Sequence, residues 1–137
     1  MDGAELPTAL ELPALPASVT EARRAAARLA YSFGADSDAV ALAVAEAVGN
    51  AVIHAYPGGR PGRVRVVLSL DSGVLVVVVS DDGVGMRPNP DSRGLGIGLP
   101  LIAQVSDGVE IAAGAEGGTE LRMRFPVAAG RPAEACG

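Results

Sequence analysis

The spacing of apolar and polar positions changes several times along the chain, and each change marks an element. From residue 19 the run TEARRAAARLAYSF consists of helix formers. Ser18 is placed as its N-cap, Glu21 stands three residues on to complete a capping box, and Gly34 closes it, which predicts a first helix over 19–33. Asp36 or Ser37 then caps a second helix that runs to about Tyr56, where Pro57, Gly58 and Gly59 stop it. Beyond that turn Arg63, Val64, Arg65 and Val66 alternate before the pattern turns apolar, and Asp71-Ser72-Gly73 reverses the chain into residues 74–80. This is a β-hairpin whose second strand is expected to be buried on both faces or nearly so. Residues 81–93 show no periodicity and several glycines and prolines, the mark of a loop kept for function. A third helix over 99–106 and a last hairpin of 109–113 and 119–127, turning at 114–118, complete the pattern. Three prolines around the apolar stretch 8–12 leave residues 1–16 as a frayed start with one edge strand at most, and 128–137 as a mobile tail.

Strands and helices in this order are partly segregated. That predicts an α/β two-layer sandwich, with helices on one face of a mixed, mostly antiparallel sheet; a Rossmann domain would need strict βαβ alternation. At 137 residues the chain is expected to be one domain, with its core over about 19–127.

Composition narrows the chemistry. All 11 basic residues are arginines, so reactions that need a lysine amine are excluded, including the phosphate lysine of the Walker A loop. One histidine (His54) and one cysteine (Cys136) cannot assemble a Cys/His zinc site or an intramolecular disulfide. A net charge of −5 and only two Tyr and two Phe argue against nucleic acid as a direct partner. The longest apolar run is the six residues 74–79, well short of the roughly 20 that span a bilayer. Asp2 and Glu5 stand where a secretory signal would carry positive charge, so no membrane association and a cytoplasmic location are expected.

Four constellations carry candidate chemistry. On the second helix Glu46, Asn50 and His54 recur every four residues on an otherwise apolar cylinder, so they form one stripe. The stripe is either a satisfied polar network that fixes helix packing or the polar wall of a cleft. Asp81-Asp82-Gly83-Val84-Gly85 follows the apolar strand directly. It is either a turn or a site where a carboxylate accepts from an exocyclic amine while Gly83 and Gly85 let the backbone approach a flat ligand. Gly94-Leu95-Gly96-Ile97-Gly98-Leu99 opens the third helix with free N–H groups suited to phosphate. Thr119, after Gly117-Gly118, either packs at a strand start or joins the acid at the same ligand edge.

Taken together in this order, EAVGNAVIHAY (46–56), DDGVG (81–85), GLGIGL (94–99) and GGT (117–119) resemble the N, G1, G2 and G3 boxes of the GHKL ATPase superfamily, which unites gyrase, MutL, histidine kinases and a heat-shock chaperone. Within it the chain looks most like the bacterial anti-sigma-factor serine/threonine kinases. The resemblance implies the Bergerat ATP-binding fold, a homodimer, a sigma factor as partner and an anti-anti-sigma protein as phosphorylated substrate. It makes Glu46 the general base and Asn50 a ligand of a Mg²⁺ that bridges the phosphates of ATP. Asp81 takes the adenine amine with Thr119 in support, Gly83, Gly85 and Met86 lie at the base, and Gly94, Leu95, Gly96, Ile97, Gly98 and Leu99 hold phosphate. Arg23 matches in position an arginine used for protein contacts, against the alternative of a solvated helix face, and His54 supports the site or packs. Only eight residues, 86–93, separate the two glycine boxes, fewer than the family's ATP lid usually holds. Arg87 and Arg93 are the cations nearest in sequence to serve the γ-phosphate. The alternative function is a nucleotide-responsive binding module without phosphoryl transfer.

Overall fold

The computed structural model describes residues 7–55, 61–83, 100–113 and 118–128. Five strands form one sheet: β1 (Thr8–Pro13), β2 (Arg63–Asp71), β3 (Val74–Asp81), β4 (Gly108–Ala113) and β5 (Thr119–Pro126), in the order β1-β2-β3-β5-β4. All four pairings are antiparallel, so the expected mixed sheet carries no parallel pair among the described strands. Two helices, α1 (Pro16–Ser32) and α2 (Ser37–Asn50), and a short helical segment over 100–105 complete the described elements, with a π-helical turn Ala51–Ala55 continuing α2.

Each element follows from its residues, with two departures. The β2–β3 turn places Ser72 at φ 54° and Gly73 at φ 82°, and Asp71 pairs with Val74. Two left-handed residues in a two-residue loop suit the right-handed twist of a hairpin. Gly34 at φ 83° ends α1: its N–H donates to Tyr31 O (3.2 Å) and that of Ala35 to Ala30 O (2.9 Å), the two bonds of a Schellman cap. Asp36 caps α2, its side chain accepting from the Asp38 and Ala39 N–H groups at 3.1 Å each. The first departure is the start of α1, which begins at Pro16 rather than at a Ser18 cap. Proline lacks the N–H that a first helical turn leaves unpaired and presets its φ, so it opens the helix three residues early. Ser18 lies inside the helix and its Oγ donates to Pro13 O at 2.6 Å, so the Ser18–Glu21 capping box is not formed. The second departure is the π turn, where the sequence predicts unbroken α-helix to Tyr56.

The inner face of the sheet carries Val64, Val66 and Leu68 of β2, Leu75, Val77 and Val79 of β3, and Leu121, Met123 and Phe125 of β5, all buried under the helices. Alanines at 22, 26, 30, 43 and 47 let α1 and α2 approach closely. The outer face of β3 also bears valines: Val76 is 6% exposed, and Val74 and Val78 are half-buried. The expectation of a strand nearly buried on both sides therefore holds at Val76 more than at its neighbours. On either side of this valine strip the arginines are paired, Arg63 and Arg65 with Glu11 (3.6 and 3.7 Å), Arg122 with Glu120 (3.2 Å) and Arg124 with Glu110 (3.0 Å). At the end of the sheet Val127 N–H donates to Gly73 O and Ala128 N–H to Gly34 O, both at 3.1 Å, so the expected mobile tail is held at its first residue; 129–137 lie outside the described residues.

Candidate functional site

The site residues come from the ends of three elements. Asp81 closes β3, and register pairs it with Thr119, the first residue of β5, on the helix-covered face. The Asp81 carboxylate accepts from Gly83 N–H at 2.9 Å and from the Thr119 N–H as well. Burial raises its pKa above the ordinary 3.8; the two backbone N–H groups oppose this, and the charge of Asp82 adds to it. Thr119 is 4% exposed. This carboxylate is thus part-buried, fixed in orientation by two backbone donors, and still has lone pairs for a ligand amine.

Glu46 and Asn50 lie one helical turn apart on α2, which packs on β3 and β5. Glu46 is half-buried, whereas Asn50 is buried at 7% exposure and its Nδ2 has no hydrogen-bond partner among the described residues. A buried amide left unpaired costs on the order of 1–3 kcal/mol, so it marks a place where a ligand group belongs. Of the two readings of the stripe, a fully satisfied packing network is the one this orphan disfavours. The π turn begins at the next residue, Ala51, and needs more residues per turn than an α-helix. Glu46 and Asn50 are the two members of the stripe on α-helical backbone, and the side chain of His54 lies outside the described residues. Sequence alone gave no sign of the turn: AVIHA reads as ordinary helix.

Gly85, Met86, Arg87, Arg93 and the phosphate loop Gly94 through Leu99 lie outside the described residues, as does the lid. Arg23 is exposed on α1 with Arg24 and Arg28, and none of the three has an ion pair among the described residues, while Arg63, Arg65, Arg122 and Arg124 on the sheet are all paired. Gly118, which stands in the GGT box without an expected role of its own, packs directly on the backbone of Asp81 and Asp82.

A five-stranded antiparallel sheet with a part-buried acid at a strand end, and on the facing helix an Asn whose Nδ2 has no partner among the described residues, agrees with the family model that covers residues 12–125, described as a histidine kinase-like ATPase domain. The chain belongs to that family. An anti-sigma F factor of Clostridium botulinum is 29% identical over 96 residues, 62% of this chain and 67% of the relative. The anti-sigma F factor of Bacillus subtilis is 29% identical over 91 residues, 58% of this chain and 62% of that protein, so the chain spans about two thirds of the length of these relatives. Among solved structures, the RsbU and RsbW domains of a Mycobacterium tuberculosis protein superpose with a TM-score of 0.66 at 23% identity, over 88% of this chain and 32% of that one. The histidine kinase domain of the E. coli osmosensor EnvZ gives 0.51 at 20% identity, covering 95% of each chain. These likenesses carry the fold, and with the family they bear out the resemblance read from the four boxes.

The donor set also fits a magnesium ion. Among the described residues no three His, Cys, Asp or Glu side chains converge on a metal position. Mg²⁺ is commonly bound through one or two protein ligands together with substrate phosphates and water, and the buried, unpartnered Asn50 amide is a ligand of that kind once its oxygen is turned to the ion.

Proposed function

We propose that the chain is an anti-sigma factor that binds ATP and transfers its γ-phosphoryl group to a serine or threonine of an anti-anti-sigma protein. The observation that carries the reading is the pairing of Asp81 with Thr119 at one end of the sheet, beside a helix that holds Glu46 and the unpartnered Asn50. Support for the partners comes from the relatives, which are named anti-sigma F factors.

In this mechanism Asp81 accepts from the adenine amine, and the Gly83 and Thr119 N–H groups keep its carboxylate oriented and charged. Asn50 would hold Mg²⁺, which would supply positive charge to neutralise the phosphates. Glu46 receives the proton of the attacking hydroxyl at its carboxylate as the oxygen bonds to the γ-phosphorus and ADP leaves. Its half-buried place one turn before Asn50 keeps it on the same side of the helix as the metal ligand. Gly94 through Leu99 hold phosphate, and Arg93 serves the γ-phosphate. Arg23, exposed and without an ion pair among the described residues, contacts the protein partner.

The protein works in the cytoplasm; among the described residues no helix is long and apolar enough to cross a membrane. It works as a homodimer whose second copy covers the valine strip on the outer face of β3. On that face Arg63, Arg65, Arg122 and Arg124 are balanced by Glu11, Glu110, Glu120 and Asp71, so two chains of net −5 meet there with little repulsion. Sedimentation of the chain with and without ATP reads the dimer directly.

The deciding experiment incubates the chain with Mg-ATP and each anti-anti-sigma protein of the same genome, and looks for one added phosphate by mass spectrometry. Phosphate on a serine or threonine, lost in Glu46→Gln, is the expected result. ATP-dependent capture of a sigma factor with no phosphate on any candidate would favour the nucleotide-responsive binding module, the reading to which the short 86–93 segment inclines.

A further inference from the structure

Beside the paired acid lies a glycine whose place in the fold is tightly constrained. A Cβ added to Gly118 would come within 2.5 Å of the Asp81 carbonyl carbon and 2.6 Å of Asp82 Cα, and closer still to the Asp81 carbonyl oxygen. All three are backbone atoms, so no change of rotamer relieves the overlap. Other glycines differ: nothing lies within 4 Å at Gly49 or Gly73, and at Gly108 the close neighbour is the movable end of the Arg124 side chain at 3.0 Å. The contact has a structural purpose. Thr119 pairs with Asp81 across β3 and β5, its N–H reaches the Asp81 carboxylate, and the residue before it lies close against the 81–82 backbone.

We propose that Gly118 is a positioning residue for base recognition: by carrying no side chain it lets the start of β5 press on Asp81 and Asp82, so that the Thr119 N–H holds the Asp81 carboxylate in the pose that receives a 6-amino purine. This rests on the reading of Asp81 as the adenine acceptor. A side chain at 118 moves the start of β5 away, frees the carboxylate to rotate, and removes the preference for an amino over a carbonyl group at the 6-position. The effect is on discrimination and not only on overall affinity, because phosphate contacts are common to both purines.

The test is calorimetric titration of the full wild-type chain and Gly118→Ala with Mg-ATP and Mg-ITP, which differ at the 6-position. The wild type is expected to prefer ATP by tenfold or more. In Gly118→Ala, ATP affinity is expected to fall at least tenfold and ITP affinity to change less than threefold, so that the preference disappears. Equal loss for both nucleotides, or an unchanged ratio, overturns the positioning role and leaves Gly118 a packing residue. A wild type that does not distinguish ATP from ITP instead overturns the adenine reading of Asp81. Should Gly118→Ala fail to fold, amide NMR of the wild type decides: the Gly83 and Thr119 N–H shifts must follow one shared titration above pH 3.8 that vanishes in Asp81→Asn. A Thr119 amide that does not follow it sinks the proposal.

Discussion

At the scale of single residues, Asp81 joins function to a cost in stability. Burial raises its pKa, so between pH 3.8 and that raised value the folded chain keeps a proton the unfolded chain has released, and stability falls as pH rises through this window. Above the window the ionised carboxylate is a constant burden. Asp81→Asn is therefore expected to be more stable than wild type at pH 7, with the difference fading on acidification below 3.8, as read by thermal unfolding at a series of pH values. The same variant is expected to lose tenfold or more in ATP affinity, since a hydrogen bond to a charged group is worth about 1.5–3 kcal/mol. Variants at Glu46 and Asn50 test the proposed division between chemistry and binding. Glu46→Gln is expected to bind ATP as the wild type does and to transfer phosphate roughly a hundredfold more slowly in single-turnover assays. Asn50→Ala, by contrast, is expected to lose the magnesium dependence of ATP binding in titrations with and without the metal.

Between neighbouring elements, the joints matter more than the elements themselves. Gly34 at φ 83° closes α1 in a conformation that costs any L-residue about 1–2 kcal/mol, so Gly34→Ala is expected to lower stability by that amount in denaturant titration without changing nucleotide affinity. This cap, the Asp36 cap and the Ser72-Gly73 reversal were legible in the sequence because one residue type suffices to specify each. Asp81, Asn50 and Thr119 were singled out in the sequence because four short motifs follow one another in a fixed order. Three features were not. The start of α1 was obscured by a plausible capping pattern at Ser18 and Glu21 that lost to Pro16, a residue already suited to a first turn. The π turn has no signature in AVIHA, since an extra residue in a helix is a matter of how its ends are held. The pressure of Gly118 on the 81–82 backbone depends on two strands distant in the chain, and no local pattern encodes such a meeting.

For the whole molecule, positive charge is segregated. α1 holds three arginines without an ion pair among the described residues, against one glutamate, in a chain of net −5, so an acidic partner segment has one favoured side of approach. The glycine-rich segment 86–98 holds the eight residues between the two glycine boxes and most of the second box, and a bound γ-phosphate is expected to order it where ADP does not. A partner that recognises the ordered form then binds the ATP-loaded chain more tightly than the ADP-loaded one by about 1–3 kcal/mol. Titration of sigma factor and antagonist against chain loaded with ADP or a non-hydrolysable ATP analogue measures it, and equal affinities for both forms would leave a nucleotide-binding domain without a switch. The ties of Val127 to Gly73 and of Ala128 to Gly34 have a practical bearing on such measurements. They fasten the chain's departure from the sheet to the end of β3 that begins at Val74, whereas Asp81, the proposed adenine acceptor, stands at the other end, roughly 23 Å away at the rise of an extended strand. A dye or surface anchor joined beyond Ala128 is thus mechanically insulated from the binding chemistry, and is expected to leave ATP affinity within twofold of the unlabelled chain.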